Sequence, residues 1–120
     1  MDKRTYHMPK AVYYQCVWTV KDMERLKKLA MVADAGFKEN EIVFFEVDED
    51  AIENKEVLDQ AKFKLGCIKR ALQKIPHEYR RGIIESIADG RPYSVIAHDN
   101  TWRRWRKVFI RHLASELNLI

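Results

Sequence analysis

The chain has 120 residues, of which 47% are hydrophobic and 33% are charged. This balance is typical of one globular domain, and it excludes the low-apolar, high-charge composition of a disordered chain. No stretch approaches the roughly 18 apolar residues of a membrane span, and no apolar run follows the charged N-terminus as a signal peptide requires. We therefore expect a soluble, cytoplasmic protein that makes no membrane contact.

Residues that carry chemistry are few and scattered. Cys16 and Cys67 are the two cysteines, too few for a disulfide framework or a zinc ribbon, and both are expected to be reduced core thiols. The four histidines do not stand at the spacing of metal ligands, and the sequence has no phosphate-binding loop or nucleophile elbow. We predict no metal, no cofactor and no enzymatic activity.

The net charge of +4 conceals a division between the two halves of the chain. Residues 1–60 carry 9 Lys and Arg against 13 Asp and Glu, whereas residues 61–120 carry 13 against 5. Ten of the acids fall between positions 34 and 59. A basic end of this kind is a candidate surface for a polyanion, although charge runs more commonly just solvate helix faces.

The first helix is predicted to begin at Pro9 and to run for about 27 residues, ending before Gly36. Its apolar positions recur at helical spacing, namely Val12, Cys16, Val20, Met23, Leu26, Ala30 and Ala33. The run of residues 42–47 has strand propensity but no evident partner strand. It is either an extended segment over the helices or an edge that pairs with a second copy of the chain. Residues 48–50 are acidic and suit a helix start.

The second helix has the most regular pattern. Its apolar residues form a heptad seam, namely Leu58, Ala61, Leu65, Ile68, Leu72 and Ile75. Pro76 ends the helix, and Gly66 within it indicates a close contact with another helix. Two helices of similar length predict an antiparallel hairpin within residues 1–75, and the seam is also a candidate homodimer interface.

Residues 76–120 are predicted to form a separate helix-turn-helix domain that binds DNA. Three helices are expected, over residues 77–89, about 92–98 and about 101–118. Gly90 suits the end of the first of them, and Asp99 and Asn100 are good caps for the last. The expected fold is therefore all-α, with a long N-terminal helical hairpin followed by a small helix-turn-helix domain.

The last helix separates its side chains by type when they are projected at about 100° per residue. One face is apolar and consists of Trp102, Trp105, Phe109, Ile110, Leu113 and Leu117. The opposite face is basic and consists of Arg103, Arg104, Lys107 and Arg111. No acid occurs between Asp99 and Glu116, so the like charges repel unless a polyanion binds them.

The four cations are the predicted DNA contacts, because arginine forks suit guanine and phosphate. Further predicted DNA-binding residues precede them in the chain, namely Arg91, Tyr93, Ser94 and Thr101. Arg80 and Arg81 lie one helix earlier and are weaker candidates. Trp102 and Trp105 are expected to anchor the core rather than to stack on bases.

The C-terminal motifs form an ordered set, namely Ile75-Pro76, Tyr79-Arg80, Gly90, Tyr93, Ile96-Ala97 and the basic last helix. This set, over residues 75–120, resembles region 4 of sigma factors. The ending, with Thr101 to Trp105, is still more similar to ArpU/RinA-type phage regulators, small sigma-like proteins that activate late phage genes. The resemblance implies a phage- or prophage-derived, sequence-specific transcriptional regulator that contacts RNA polymerase. The turn before Thr101 is shorter than in sigma proteins.

Three hypotheses follow from the sequence. The first is a transcriptional regulator that binds double-stranded DNA through the basic helix, with RNA as the nearest competing ligand. The alternative is a helical protein–protein interaction module whose basic face binds an acidic partner. In the third, residues 34–59 cover the basic helix of the free protein by charge complementarity.

Overall fold

A computed structural model of the chain describes residues 8–35 and 55–120, with the side chains of 32–35 excepted. These residues form five α-helices and no strand, which confirms the all-α class for this part of the chain. The helices are α1 (Lys10–Lys21), α2 (Met23–Ala35), α3 (Lys55–Leu72), α4 (His77–Asp89) and α5 (Asp99–Glu116). Gly36, the run 42–47 and the acidic residues 48–50 lie outside the described residues.

The predicted single N-terminal helix is wrong, because the chain turns at Asp22. This residue has φ −86° and ψ 2°, and its carboxylate accepts hydrogen bonds from Arg25 at 2.8 and 2.7 Å. The two resulting helices pack on different partners, α1 against α4 and α5, and α2 against α3. Since the apolar spacing stays in phase through Asp22, periodicity alone does not reveal the break.

The main core is one cluster of buried residues drawn from α1, α3, α4 and α5, so it includes residues from both sides of position 76. Leu26 and Leu29 on α2, together with Leu58 and Ala61 at the start of α3, are buried outside this cluster. They lie on the two helices that pack against each other there. The seam of α3 is therefore largely covered within the chain, and the homodimer stays a prediction.

Both cysteines are free and buried, as predicted. The Cys16 thiol donates to the carbonyl of Ile110 at 3.8 Å, and the Cys67 thiol donates to the carbonyl of Glu116 at 3.4 Å. Burial raises the pKa of Cys16 to about 11. The two thiols thus tie α1 and α3 to α5, and Cys16 is a protonated packing residue at neutral pH.

The close helix contact predicted at Gly66 is wrong, because it occurs at Gly82 instead. The atoms nearest to a Cβ at Gly66 would belong to the guanidinium of Arg70, a flexible side chain of the same helix, with Nη1 at 3.1 Å. A Cβ at Gly82 would lie 2.6 Å from Cη2 of Trp102. The missing side chain at Gly82 therefore lets the ring of Trp102 lie directly on the backbone of α4.

The structure of residues 76–120 agrees with the prediction at α4 and differs after it. The bounds of α4 are as predicted, and Gly90 ends it with φ 68°. Residues 91–98 contain no helix, so the predicted short helix is wrong. Val95 and Ile96 are 99% and 63% exposed, and a helix of one or two turns without buried contacts is not stable by itself.

The start of α5 also differs from the prediction. The helix begins at Asp99, and its N-cap is His98, whose Nδ1 accepts a hydrogen bond from the backbone N–H of Asn100 at 3.0 Å. The predicted caps Asp99 and Asn100 are already helical. Among the described residues, no helix is long and apolar enough to cross a membrane.

Candidate nucleic-acid interface

The inner face of α5 anchors this helix in the protein. Trp102, Phe109, Ile110, Leu113 and Ala114 are each no more than 3% exposed. All five belong to the main core cluster. Because these side chains are closely packed, α5 cannot turn about its own axis. Its outer face is therefore held in one orientation along the whole helix.

Trp102 fixes the residues that precede α5. Its ring stacks on Tyr93, with centroids 5.3 Å apart and planes at 3°, and Tyr79 meets it edge-on at 4.9 Å. Its Nε1 donates a hydrogen bond to the backbone carbonyl of Ser94 at 3.0 Å. Trp102 is thus a core anchor, as predicted. Tyr93, a predicted DNA contact, is half-buried in this stack, whereas Ser94 is exposed.

The four predicted cations of the basic face, Arg103, Arg104, Lys107 and Arg111, are all exposed on the outer side of α5. Arg103 donates a weak hydrogen bond to Asn100 at 3.4 Å, and the guanidinium of Arg104 lies 5.3 Å from the ring centre of Trp105. No described carboxylate pairs with Arg103, Arg104 or Lys107. Thr101, in the first turn, is half-buried. The face therefore presents several positive charges that carboxylates of the described chain do not neutralise.

The predicted cations outside α5 are engaged in contacts within the chain. Arg91 lies 3.3 Å from Glu85 and 3.8 Å from Asp89. Arg81 also pairs with Glu85, at 3.1 Å, and Arg80 donates to the carbonyl of Ile75 at 3.1 Å. These pairs are largely exposed and therefore weak, so Arg91 and Arg81 remain available to an anion at small cost.

Arg106 is a functional candidate that sequence reasoning missed. Its position projects between Leu113 and Leu117, inside the apolar face of the helix, which is the signal that could have revealed it. The half-buried guanidinium donates to the hydroxyl of Tyr13 at 2.8 Å and to that of Ser86 at 3.3 Å. Burial lowers the pKa of Arg106, but hydrogen bonds from the guanidinium to Tyr13 and Tyr93 outweigh this effect and raise it.

A groove of about 460 Å³ runs between the start of α1 and the basic side of α5. Its lining combines four cations with three largely apolar side chains, namely Arg103, Arg106, Lys107, Arg111, Met8, Tyr13 and Ile110. None of the described residues that line it carries a carboxylate. The groove thus extends the basic face inward to Arg106, and we refer to it as the basic groove.

A second groove, of about 450 Å³, lies where α1 approaches α3 and the C-terminus. Three of its aromatic residues are unusually exposed, since Tyr14, Trp18 and Phe63 have 55%, 65% and 41% of their surface in solvent. Exposed aromatic side chains in one groove are typical of protein–protein contact surfaces. We refer to this region as the aromatic groove.

The described residues hold no group of three His, Cys, Asp or Glu side chains placed to bind a metal ion. Comparison of the chain with protein-family models, with curated proteins and with solved structures finds no match in any of the three.

Proposed function

We propose that the protein binds double-stranded DNA through the outer face of α5 and acts as a sequence-specific transcriptional regulator. The observation that carries this proposal is the exposed basic face, Arg103, Arg104, Lys107 and Arg111, on a helix whose opposite side is buried. Three of these cations stand one turn apart in sequence. Such an array costs stability in the free protein and is stabilised by a polyanion.

The dimensions of α5 suit the major groove. A helix with its side chains is about 10–12 Å across, and the groove is about 12 Å wide. The cations extend over eight residue steps, or about 12 Å along the helix axis at 1.5 Å per residue. Arg103 and Arg104 lie near the N-terminal end of α5, the end that reads base edges in helix-turn-helix proteins. We assign base contacts to these two residues and phosphate contacts to Lys107 and Arg111.

The finer parts of the proposal come from the resemblance to sigma region 4 and to ArpU/RinA-type regulators. They are the phage or prophage origin, the contact with RNA polymerase and the action on transcription. In this structure Ile96-Ala97 lies in a turn, where the sigma motif has its first helix. We therefore propose that α4 takes the place of that helix and that α5 remains the reading helix.

A second candidate function is favoured by the aromatic groove. A helical interaction module would use Tyr14, Trp18 and Phe63 for one protein contact and the basic face for an acidic partner. RNA is the third ligand that the basic face could bind, since phosphates are common to both nucleic acids. Parallel binding measurements with a duplex, a single-stranded RNA and an acidic polypeptide separate these three candidates.

The test is fluorescence anisotropy of a labelled random duplex at increasing salt, with a labelled single-stranded RNA and a labelled polyglutamate measured in parallel. On a random duplex, where Arg103 and Arg104 have no matching bases and contact phosphates instead, four phosphate contacts predict that log K falls with log salt at a slope of about −3.6. The double variant Arg103→Gln/Arg104→Gln should reduce that slope by about 1.8. The matched control, Lys69→Gln/Lys74→Gln, removes the same charge from exposed positions on and after α3 and should leave the slope unchanged.

Each result separates the candidates. No duplex binding at low salt, or equal loss in both double variants, would overturn the DNA proposal. Tighter binding of the single-stranded RNA than of the duplex would assign the basic face to RNA. Binding of polyglutamate alone, sensitive to the arginine pair, would favour the interaction module.

A further inference from the structure

We infer that the basic groove is a binding site for a nucleotide unit, in which Arg106 holds the phosphate. The unit is either a free nucleotide or one unit of a bound nucleic acid, and the assignment of the second source rests on the proposed function. The site shares Arg103, Lys107 and Arg111 with the basic face, but it is centred on Arg106, and Arg104 does not line the groove.

The state of Arg106 is the first argument. Buried charges are normally paired with opposite charges, yet the partners of this half-buried guanidinium are the hydroxyls of Tyr13, Ser86 and Tyr93. These come from α1, from α4 and from the turn before α5, so they fix the orientation of the fork. The bonds to Ser86 and Tyr13 use one N–H on Nη1 and one on Nη2. With one further bond to Tyr93, donors of the guanidinium remain for an anion.

The charge of the surrounding wall is the second argument. Arg103 and Lys107 line the groove beside Arg106, and none of the described lining residues carries a carboxylate. Cations that line one concave space repel each other more strongly than cations on a convex face, because water screens them less. A phosphate with two negative charges relieves this repulsion and accepts hydrogen bonds from guanidinium forks.

The size and the apolar part of the groove are the third argument. Its volume of about 460 Å³ lies within the range of sites for small organic ligands and exceeds the need of a phosphate alone. Met8, Tyr13 and Ile110 supply an apolar wall next to the cations. A ligand with one anionic end and one flat apolar end matches this division, and a nucleotide has both.

The experiment follows the arginine Nε–Hε signals of ¹⁵N-labelled protein during separate titrations with inorganic pyrophosphate, adenosine 5′-monophosphate and a random duplex. We expect saturable shifts at Arg106 with the adenosine nucleotide, and weaker binding of pyrophosphate, which lacks the ring. Lys107→Gln should weaken nucleotide binding about tenfold, the effect of one charge-assisted contact. Arg104→Gln is the matched control on the same helix and should leave nucleotide binding unchanged while weakening the duplex.

The outcomes distinguish the two proposals. If the duplex shifts the Arg106 signal and the free nucleotide does not, the groove takes its phosphate from the nucleic-acid backbone. If the nucleotide saturates the site and the duplex does not bind, the site stands and the DNA proposal falls. If the duplex shifts the Arg104 signal while the Arg106 signal does not move with any ligand, the groove is not a binding site. The same holds if the signals of all exposed arginines shift without reaching saturation. Thermal unfolding of each variant shows that it is folded.

Discussion

Replacement of Gly82 by alanine tests how rigidly α5 is held against α4. A Cβ at this position would lie 2.6 Å from Cη2 and 2.7 Å from Cζ3 of Trp102, about 1 Å inside ordinary carbon–carbon contact. The ring has no room to withdraw, because it is 1% exposed, stacked on Tyr93 and hydrogen-bonded to Ser94. We therefore predict that Gly82→Ala destabilises the protein.

The magnitude follows from two opposing effects. Overpacking a filled core costs about 1–3 kcal/mol, and an overlap this large belongs in the upper part of that range. Alanine gains about 1 kcal/mol over glycine in a helix interior. The net loss in the free energy of unfolding is therefore about 1–2 kcal/mol, which lowers the melting temperature of a domain of this size by roughly 4–8 °C.

Gly66→Ala is the matched control, because it is the same substitution in another helix. The added Cβ meets the guanidinium of Arg70, with Nη1 at 3.1 Å. This side chain is 50% exposed, and it can shift by the few tenths of an ångström required because its pair with Glu116 is an exposed and therefore weak one. Helix propensity then dominates, and the variant should gain up to about 1 kcal/mol.

Urea unfolding monitored by tryptophan fluorescence and by circular dichroism measures both glycine variants. If Gly82→Ala is as stable as Gly66→Ala, Trp102 is not clamped against α4 and the argument for a fixed basic face fails. Duplex affinity should fall in Gly82→Ala, since Trp102 sets the start of α5, and it should be unchanged in Gly66→Ala.

Three further predictions concern charge. Lys107→Gln should stabilise the free protein by about 0.4–1 kcal/mol at low salt, because it removes two like-charge pairs at i,i+4. Urea unfolding at low salt and at 1 M salt measures this effect. A loss of stability, or a gain that persists at 1 M salt, contradicts the prediction. Because burial raises the pKa of Cys16 to about 11, the unfolded chain releases this proton first, and stability should decline as pH rises from about 9 to 11. In a Cys16→Ala variant, measured by urea unfolding at each pH, stability should decline less over this pH range. Glu116→Gln breaks the pair with Arg70 at 2.7 Å. Since both side chains are partly exposed, the loss of stability in thermal unfolding should be small, and a large drop in the melting temperature would contradict this.

The sequence predicted α4 and the two faces of α5 because several local signals agree there. The apolar period of α4 ends where Gly90 supplies a left-handed residue, so pattern and termination coincide. In α5 every basic position predicted to face outward is exposed. The buried face was equally well marked, since Trp102 and Phe109 are almost fully enclosed.

The remaining features depend on contacts between distant parts of the chain. The turn at Asp22 keeps the helical phase, and only the different partners of α1 and α2 distinguish two helices from one. The turn after Gly90 is held by a hydrogen bond from Trp102 to the carbonyl of Ser94, eight residues earlier in the chain. Arg106 finds its hydroxyl on Tyr13, 93 residues earlier in the chain. No local pattern reports such pairings.

The two faces of α5 are linked through energy as well as geometry. Each like-charge pair on the outer face costs about 0.2–0.5 kcal/mol, whereas burial of one large side chain such as Trp102 or Phe109 contributes about 1.5–3 kcal/mol. The core therefore holds the cations in place without a ligand. A polyanion meets a face that is already ordered, so it does not bear the cost of arranging the helix. For the same reason, neutral substitutions at Arg103 and Arg104 should change binding while the fold is retained, which makes them a direct probe of function.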